Sequence, residues 1–203
     1  MEKIEKVISL ASEYGQKVIK GAKLKDYTTF KIGGEAKAFI EISSEDALCR
    51  LCKLLEELEI NHMILGRGSN ILFDDKGYNG VILHLGNEYS DIEVIDNTIT
   101  AKSGASLMSV CKAALEHSLS GLEFAYGIPG TVGGAVFMNA GAYGGEISDV
   151  LVSCKVLVNG VVKTVKASQM DLSYRHSIFQ TNGGVVLSAV FKPVSYTPLR
   201  AHE

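Results

Sequence analysis

GIPGTVGGAVFMNAGAYGG, residues 127–145, places seven glycines in nineteen positions. Each glycine costs roughly 0.5–1 kcal/mol against alanine in regular structure, so a merely structural loop seldom carries so many. Gly130-Thr131-Val132-Gly133-Gly134 would expose consecutive amides, and the small residues behind it could open a short helix whose positive end faces a pyrophosphate. A ligand loop and a plain packing motif are the two readings, and the backbone entropy favours the ligand loop.

Outward from this centre the chain alternates helix-like and strand-like runs. Just before it, residues 105–118 carry Leu107, Val110, Cys111, Ala114 and Leu115 at helical spacing, with Gly121 as a stop. Earlier still, VILHL, IEVI and TITAKS are short β-type runs, the last two separated by a turn at Asp96-Asn97. On the far side, CKVLV-NG-VVKTV predicts a two-residue hairpin at Asn159-Gly160, and VVLSAVFKPV a final strand.

In the first third, AKAFIEI (36–42) alternates as a strand, Ser43 and Ser44 offer an N-cap, Leu48, Leu51, Leu55 and Leu58 mark one helix face, and HMIL returns as a strand. A β-α-β unit with parallel pairing follows as the default expectation. Residues 2–20 carry Ile4, Val7, Ile8, Ala11, Tyr14 and Val18 at helical period. The organisation predicted is therefore an N-terminal helix (1–21), a small α/β unit (22–82) and an α+β unit (83–194). The last stretch, SYTPLRAHE (195–203), has no periodicity and reads as a non-native tail.

A formal charge of −3, with 20 Lys+Arg against 23 Asp+Glu, gives no cationic footprint for nucleic acid or an anionic membrane surface. Charges recur through MEKIEKVISLASEYG and nothing later approaches ~20 apolar residues, so the chain reads as cytosolic. Cys49-x-x-Cys52 sits in an amphipathic run with no second pair at ligand spacing, which favours buried free thiols and assigns no metal.

Two further loops carry polar chemistry. Gly66-Arg67-Gly68-Ser69-Asn70 follows HMIL, and its glycines free backbone amides to approach an anion, with Ser69 and Asn70 adding donors. It is not the dinucleotide fingerprint, because a β-type run follows where a helix should, and no Gly-Lys-Ser/Thr makes a P-loop. A tight turn and a ligand loop both remain open here. Tyr174-Arg175-His176-Ser177 offers an arginine for a carboxylate or developing oxyanion; the alternative is a surface Arg paired with Asp171 or Glu146.

TTFKIGG (28–34), ILGRGSNILF (64–73), GLEFAYGIPGTVGGAVFMNAGAYGGEI (121–147) and SYRHSIF (173–179) together resemble the UDP-N-acetylenolpyruvoylglucosamine reductase family of bacterial peptidoglycan precursor synthesis. The resemblance implies an α/β (α+β) fold: a two-subdomain FAD-binding unit of the vanillyl-alcohol-oxidase (PCMH) type, with the C-terminal substrate domain missing. It further implies FAD, with NADPH as co-substrate and UDP-N-acetylglucosamine enolpyruvate as substrate, in a cytoplasmic monomer that binds neither nucleic acid nor membrane. Gly66, Arg67, Gly68, Ser69 and Asn70, with Ile128, Pro129, Gly130, Thr131, Val132, Gly133 and Gly134, look like pyrophosphate loops. Asn139, Gly141, Ala142, Tyr143 and Gly144 would line the same cofactor. Arg175 matches the family's active-site arginine and Tyr174 a substrate-side neighbour.

The family's proton-donor serine, in a Gly-Ser-x-Phe-Lys-Asn-Pro-like segment, and its C-terminal glutamate have no counterpart in these residues, as though a domain of on the order of 100 residues were missing. Two classes stay in view: the flavin-binding portion of such a reductase, and a non-catalytic flavin- or nucleotide-binding module.

Overall fold

A computed structural model describes residues 2–195. Helix α1 (Glu2–Glu13) leads into strand β1 (Lys17–Lys20), which pairs antiparallel with β2 (Ala36–Glu41). After α2 (Glu45–Glu57) come β3 (His62–Leu65) and β4 (Tyr78–His84), and the four strands form one sheet in the order β1-β2-β4-β3. Side chains along a strand alternate between faces. Ala38 and Ile40 of β2, with Val81 and Leu83 of β4, therefore pack against α1 and α2 through Val7, Ala11, Leu48, Leu51 and Leu55. Phe39 and Ile82 point the other way, onto Leu24, Leu65 and Phe73. The Ser44 hydroxyl caps α2 by accepting from the Ala47 amide.

Three expectations change in this half. The leading helix ends near Gly15 (φ +68°), not near Gly21, because the Gln16 amide bonds back to the Ala11 carbonyl at 2.8 Å and closes the turn. Val18 and Ile19 then pair with Ile40 and Phe39 as β1. The β-α-β unit holds its parallel sense, but β2 and β3 are not neighbours: β4 lies between them, parallel to both. Val81, Ile82 and Leu83 are all buried, as a central strand covered on both faces requires, by α1 and α2 on one side and by Leu24 and Phe73 on the other, whereas β3 is half-exposed at the edge. For the same reason the boundary at residue 82 falls inside β4, which stays in the first sheet to His84.

The second half holds a five-stranded antiparallel sheet in the order β11-β10-β12-β6-β5, built from β5 (Ile92–Ile95), β6 (Thr98–Lys102), β10 (Leu151–Val158), β11 (Val161–Lys166) and β12 (Val185–Phe191). Between β6 and β10 run α3 (Leu107–Glu116), β7 (Leu119–Ser120), α4 (Val132–Phe137) and the small β8–β9 hairpin (Gly141–Ala142 and Gly145–Glu146). Helix α5 (Phe179–Asn182) precedes β12. Both hairpin turns form where expected, with Asp96 at φ +51°, Asn159 at +51° and Gly160 at +71°. Helix α3 stops earlier than foreseen, at a left-handed Ser118 rather than at Gly121.

α3 and α4 cover one face of this sheet through Leu107, Val110, Val132 and Val136 packed on Ile99, Cys154, Val156 and Phe191. The opposite face contributes Leu157 and Leu187 to the core around α2. The two sheets thus share apolar contacts, which fixes the cleft between them. Ser195 pairs with Leu119 in strand β13 (Val194–Ser195), so the supposed tail begins inside the fold, and its remainder, 196–203, lies outside the described residues.

Candidate functional site

Where β3 runs out at Leu65, the chain turns through Gly66–Asn70. Gly68 adopts φ +65°, and a Cβ there would overlap the Tyr27 carbonyl oxygen. Its own carbonyl accepts from Thr29 at 3.0 Å, which docks the loop on the TTFKIGG segment. The amides of Arg67, Gly68, Ser69 and Asn70 donate to no carbonyl or side chain among the described residues. Four successive unpartnered donors on one turn suit an anion, so the plain-turn reading, which would spend those amides internally, is the weaker one.

Beneath the loop sits His84, hydrogen-bonded to the backbone of Gly66 and packed on Phe39, with ring centroids 5.1 Å apart. Phe39 in turn stacks on Tyr27 at 4.0 Å. Burial lowers the His84 pKa; Glu41 and the Gly66 bond oppose the shift, and Lys17 adds to it. An unfolded histidine titrates near 6.5. With the folded value depressed, His84's contribution to stability is present above about pH 6.5 and is lost as the pH falls through the folded value. Urea midpoints measured at pH 7.5 and 5.0 should drop more for the wild-type chain than for His84→Gln; equal drops would refute this.

Across the cleft, the glycine-rich segment behaves differently from its sequence expectation. The Gly130 amide bonds to the Ile128 carbonyl at 2.9 Å, Val132 to Ala105 at 2.8 Å and Gly133 to Ser103 at 2.8 Å. Within residues 130–134, Thr131 and Gly134 keep amides with no partner among the described residues. The exposure is interrupted rather than consecutive: beside the antiparallel bridge of Thr131 to Ser106 the Val132 amide is turned onto Ala105, and the next amide, Gly133, goes to Ser103. Gly133 is glycine for packing, since a Cβ would stand 2.8 Å from that of Ser103. Gly66 is glycine because a Cβ would overlap the Thr131 Oγ1, so here the two loops meet.

Two confluent cavities open at that junction. One, of about 460 Å³, is walled by the 66–70 loop, Leu107, the 128–131 turn, Met138 and Arg175. The other, of about 440 Å³, runs past His62, Leu85, Ser103, Phe179 and Val185. Ile64, Gly66, Thr131, Gly134 and Phe137 border both. Each lies within the range of ligand sites, roughly 300–1,000 Å³, and end to end they suit an elongated ligand. Ser103 is 1% exposed and its Oγ has no partner among the described residues. A buried orphan hydroxyl on a cavity wall fits a ligand that completes it. Orphan amides, the orphan hydroxyl and a glycine cradle together fit a nucleotide diphosphate.

Arg175 reaches the first cavity from the tip of a tight turn, with Nη2 donating to the Gly141 carbonyl at 3.3 Å. Neither of its sequence alternatives, Asp171 or Glu146, holds it; Asp171 pairs with His176 at 3.2 Å instead. Tyr174 is 85% exposed beside it. Asn139, Gly141, Ala142, Tyr143, Gly144 and Val132 stand outside both cavity walls. Asn139 is 2% exposed and spends its amide on the Ser173 carbonyl (3.1 Å) and the Ser148 amide (3.0 Å), while Tyr143 and Gly144 form the tip of the β8–β9 hairpin. Ser103, Phe137, Met138 and Gln180 went unseen in sequence. Their types carry no chemical signature, and only the fold brings them together.

The four cysteines are free thiols: burial pushes Cys52 and Cys154 up to about 12 and Cys111 to about 11, which keeps them protonated.

Residues 36–168 match the FAD binding domain family, to which the chain belongs, and this makes it a flavin-nucleotide-binding protein. Within it, the chain is similar to UDP-N-acetylenolpyruvoylglucosamine reductases. It is 47% identical to that of Agathobacter rectalis, over 83% of this chain and 58% of the relative, and 46% identical to that of Lactobacillus helveticus, over 86% and 58%. The chain thus spans somewhat over half the length of these relatives. The crystal structure of the reductase from Thermus caldophilus superposes with TM-score 0.76 at 31% identity, covering 90% of this chain and 64% of that one. A glucooligosaccharide oxidase from Acremonium strictum shares the fold alone, at TM-score 0.66 and 15% identity. The fold is the two-subdomain flavin-binding arrangement of the vanillyl-alcohol-oxidase type.

Proposed function

We propose that the chain is the flavin-binding portion of a cytoplasmic enzyme that reduces UDP-N-acetylglucosamine enolpyruvate to UDP-N-acetylmuramate at the expense of NADPH, in peptidoglycan precursor synthesis. The observation that carries this reading is the row of unpartnered amides from Arg67 to Asn70, in a loop that walls a cavity also lined by Arg175. Those amides, with Thr131 and Gly134 opposite, would hold the FAD diphosphate, and the Ser103 hydroxyl would gain its missing partner from the cofactor. The chemistry FAD supplies when bound is storage of a hydride between NADPH and the enolpyruvyl group.

The chain's own contribution is positioning and charge. Arg175 keeps a permanent, planar cation at the cavity, suited to a carboxylate and to negative charge that develops beside it. Tyr174, exposed at the same turn, lies on the substrate side. Ile64, Leu107 and Phe137 supply the apolar wall that excludes water and strengthens those interactions.

The test is to titrate the purified 203-residue polypeptide with FAD and record its visible spectrum, then supply NADPH and the enolpyruvyl substrate. A bound-flavin spectrum with negligible substrate-dependent NADPH oxidation is expected, because general acid catalysis typically contributes ~100- to 10,000-fold and its serine segment is not among these residues. A colourless protein would overturn the reading; steady turnover would overturn the assignment of proton donation to residues beyond these.

A further inference from the structure

Arg175 occupies a conformation that a long side chain seldom adopts. Ser173 and His176 exchange both backbone hydrogen bonds, at 3.2 and 3.0 Å, leaving Tyr174 and Arg175 as the two tip residues. Arg175 stands at φ +55°, in the left-handed region where a Cβ is disfavoured. Its guanidinium has few restraints: the 3.3 Å bond to the Gly141 carbonyl, and the Tyr174 ring 5.8 Å from its carbon. The aim of the side chain into the cavity must therefore come from the backbone. A left-handed residue persists only where its surroundings over-determine it.

One side chain does so from outside the turn. The Gln180 Nε2 donates to the Arg175 carbonyl at 3.0 Å and to the Phe137 carbonyl at 3.1 Å, and lies 3.7 Å from the Met138 sulfur. Phe137 and Met138 close helix α4, whose opposite end carries Thr131 at the loop junction. Gln180 is itself exposed, but its backbone is anchored by the neighbouring Phe179, 2% exposed in the core beneath α3 and α4. The Ser177 hydroxyl bonds the same Phe137 carbonyl at 2.7 Å, and Asn139 holds Ser173 from the other side.

We infer that Gln180 is a positioning residue for Arg175: its amide nitrogen clasps the arginine turn to the C-terminal end of α4, holding the guanidinium toward the cavity. The inference rests on the role proposed for Arg175, but the clasp itself is built from protein groups alone. Every contact Gln180 makes uses it as a donor, so the chemistry required is specific. A lysine ammonium, with three donors, can replace it; a glutamate, with acceptors only, cannot.

The test is amide hydrogen exchange in the cofactor-free chain, read at Ser173 and His176 by NMR. Gln180→Glu should speed exchange at those two amides about 10-fold or more, while strand β12 and the melting temperature stay as in wild type. Gln180→Lys should retain protection. Adding Arg175→Gly to Gln180→Glu should restore it, because glycine accepts the left-handed conformation without support. Unchanged exchange in Gln180→Glu overturns the inference, and so does equal acceleration throughout β12, which would mean general destabilisation. A chain that fails to bind FAD yet shows this exchange pattern would sink the proposed function and leave the clasp standing.

Discussion

Gly66→Ala should weaken FAD binding by roughly 10- to 100-fold, and Thr131→Ala in the same chain should recover most of the loss. An alanine Cβ at position 66 would overlap the Thr131 Oγ1 and stand 3.3 Å from that residue's Cβ and Cγ2. Neither loop can yield freely. Thr131 is locked by its bridge to Ser106 and by the packing of Val132, while Gly66 is held by His84 and by the end of β3. Overpacking of this kind costs typically 1–3 kcal/mol, which spread over the two loops displaces the amides that face the ligand. Each 1.4 kcal/mol is a factor of ten in affinity. Truncating Thr131 removes Oγ1 and Cγ2, the groups in the way, and forfeits no side-chain hydrogen bond among the described residues. Flavin fluorescence titration of the single and double variants decides it. Wild-type affinity in Gly66→Ala would contradict the two-loop junction, and so would a double variant no better than the single.

Phe39→Ala should destabilise the chain by about 3–5 kcal/mol, the range for a fully buried phenylalanine cut to alanine. Phe39 has no exposed surface and joins a cluster of three rings, stacked on Tyr27 at 4.0 Å and tilted against His84 at 5.1 Å, with Tyr27 and His84 meeting edge-on at 6.3 Å. Its loss would leave a cavity directly beneath the Gly66–Asn70 loop: Tyr27 offers its carbonyl to the underside of Gly68, and His84 bonds to Gly66. Urea unfolding measures the loss, and a change under about 1 kcal/mol would show that the stack is not the loop's support. Because the transfer and cavity terms act on the whole sheet, this is the largest stability effect expected of any substitution named above.

Those two variants probe positions of unequal visibility in sequence. The elements were legible wherever period and punctuation agreed: Leu48, Leu51 and Leu55 at helical spacing after Ser44, and Asn159-Gly160 between two β-branched runs. Where one pattern served two states, the reading slipped. Tyr14 and Val18 continue the period of α1, yet Gly15 had already stopped it, and Val18 belongs to a strand. Strand order was beyond reach, since nothing local says that β4 inserts between β2 and β3; the unbroken burial of Val81–Leu83 is the trace it leaves.

At the site, the glycine density drew attention to 66–70 and 128–134, but glycine signals close approach without saying of what. Gly68 turns left-handed among amides left without partners in the described residues, whereas Gly133 only makes room for Ser103. Ser103 and Gln180 gave no signal because a lone serine or glutamine acquires meaning from its partners, or from lacking them, in three dimensions.

The central claim is that the amides of Arg67–Asn70, with those of Thr131 and Gly134, receive a diphosphate. Amide chemical shifts of the isotopically labelled chain, followed through an FAD titration, test it most directly. Large downfield proton shifts are predicted at those six positions, with Gly130, Val132 and Gly133, already bonded to carbonyls, moving little. A titration in which the internally bonded amides move and the 67–70 amides stay still would contradict the account.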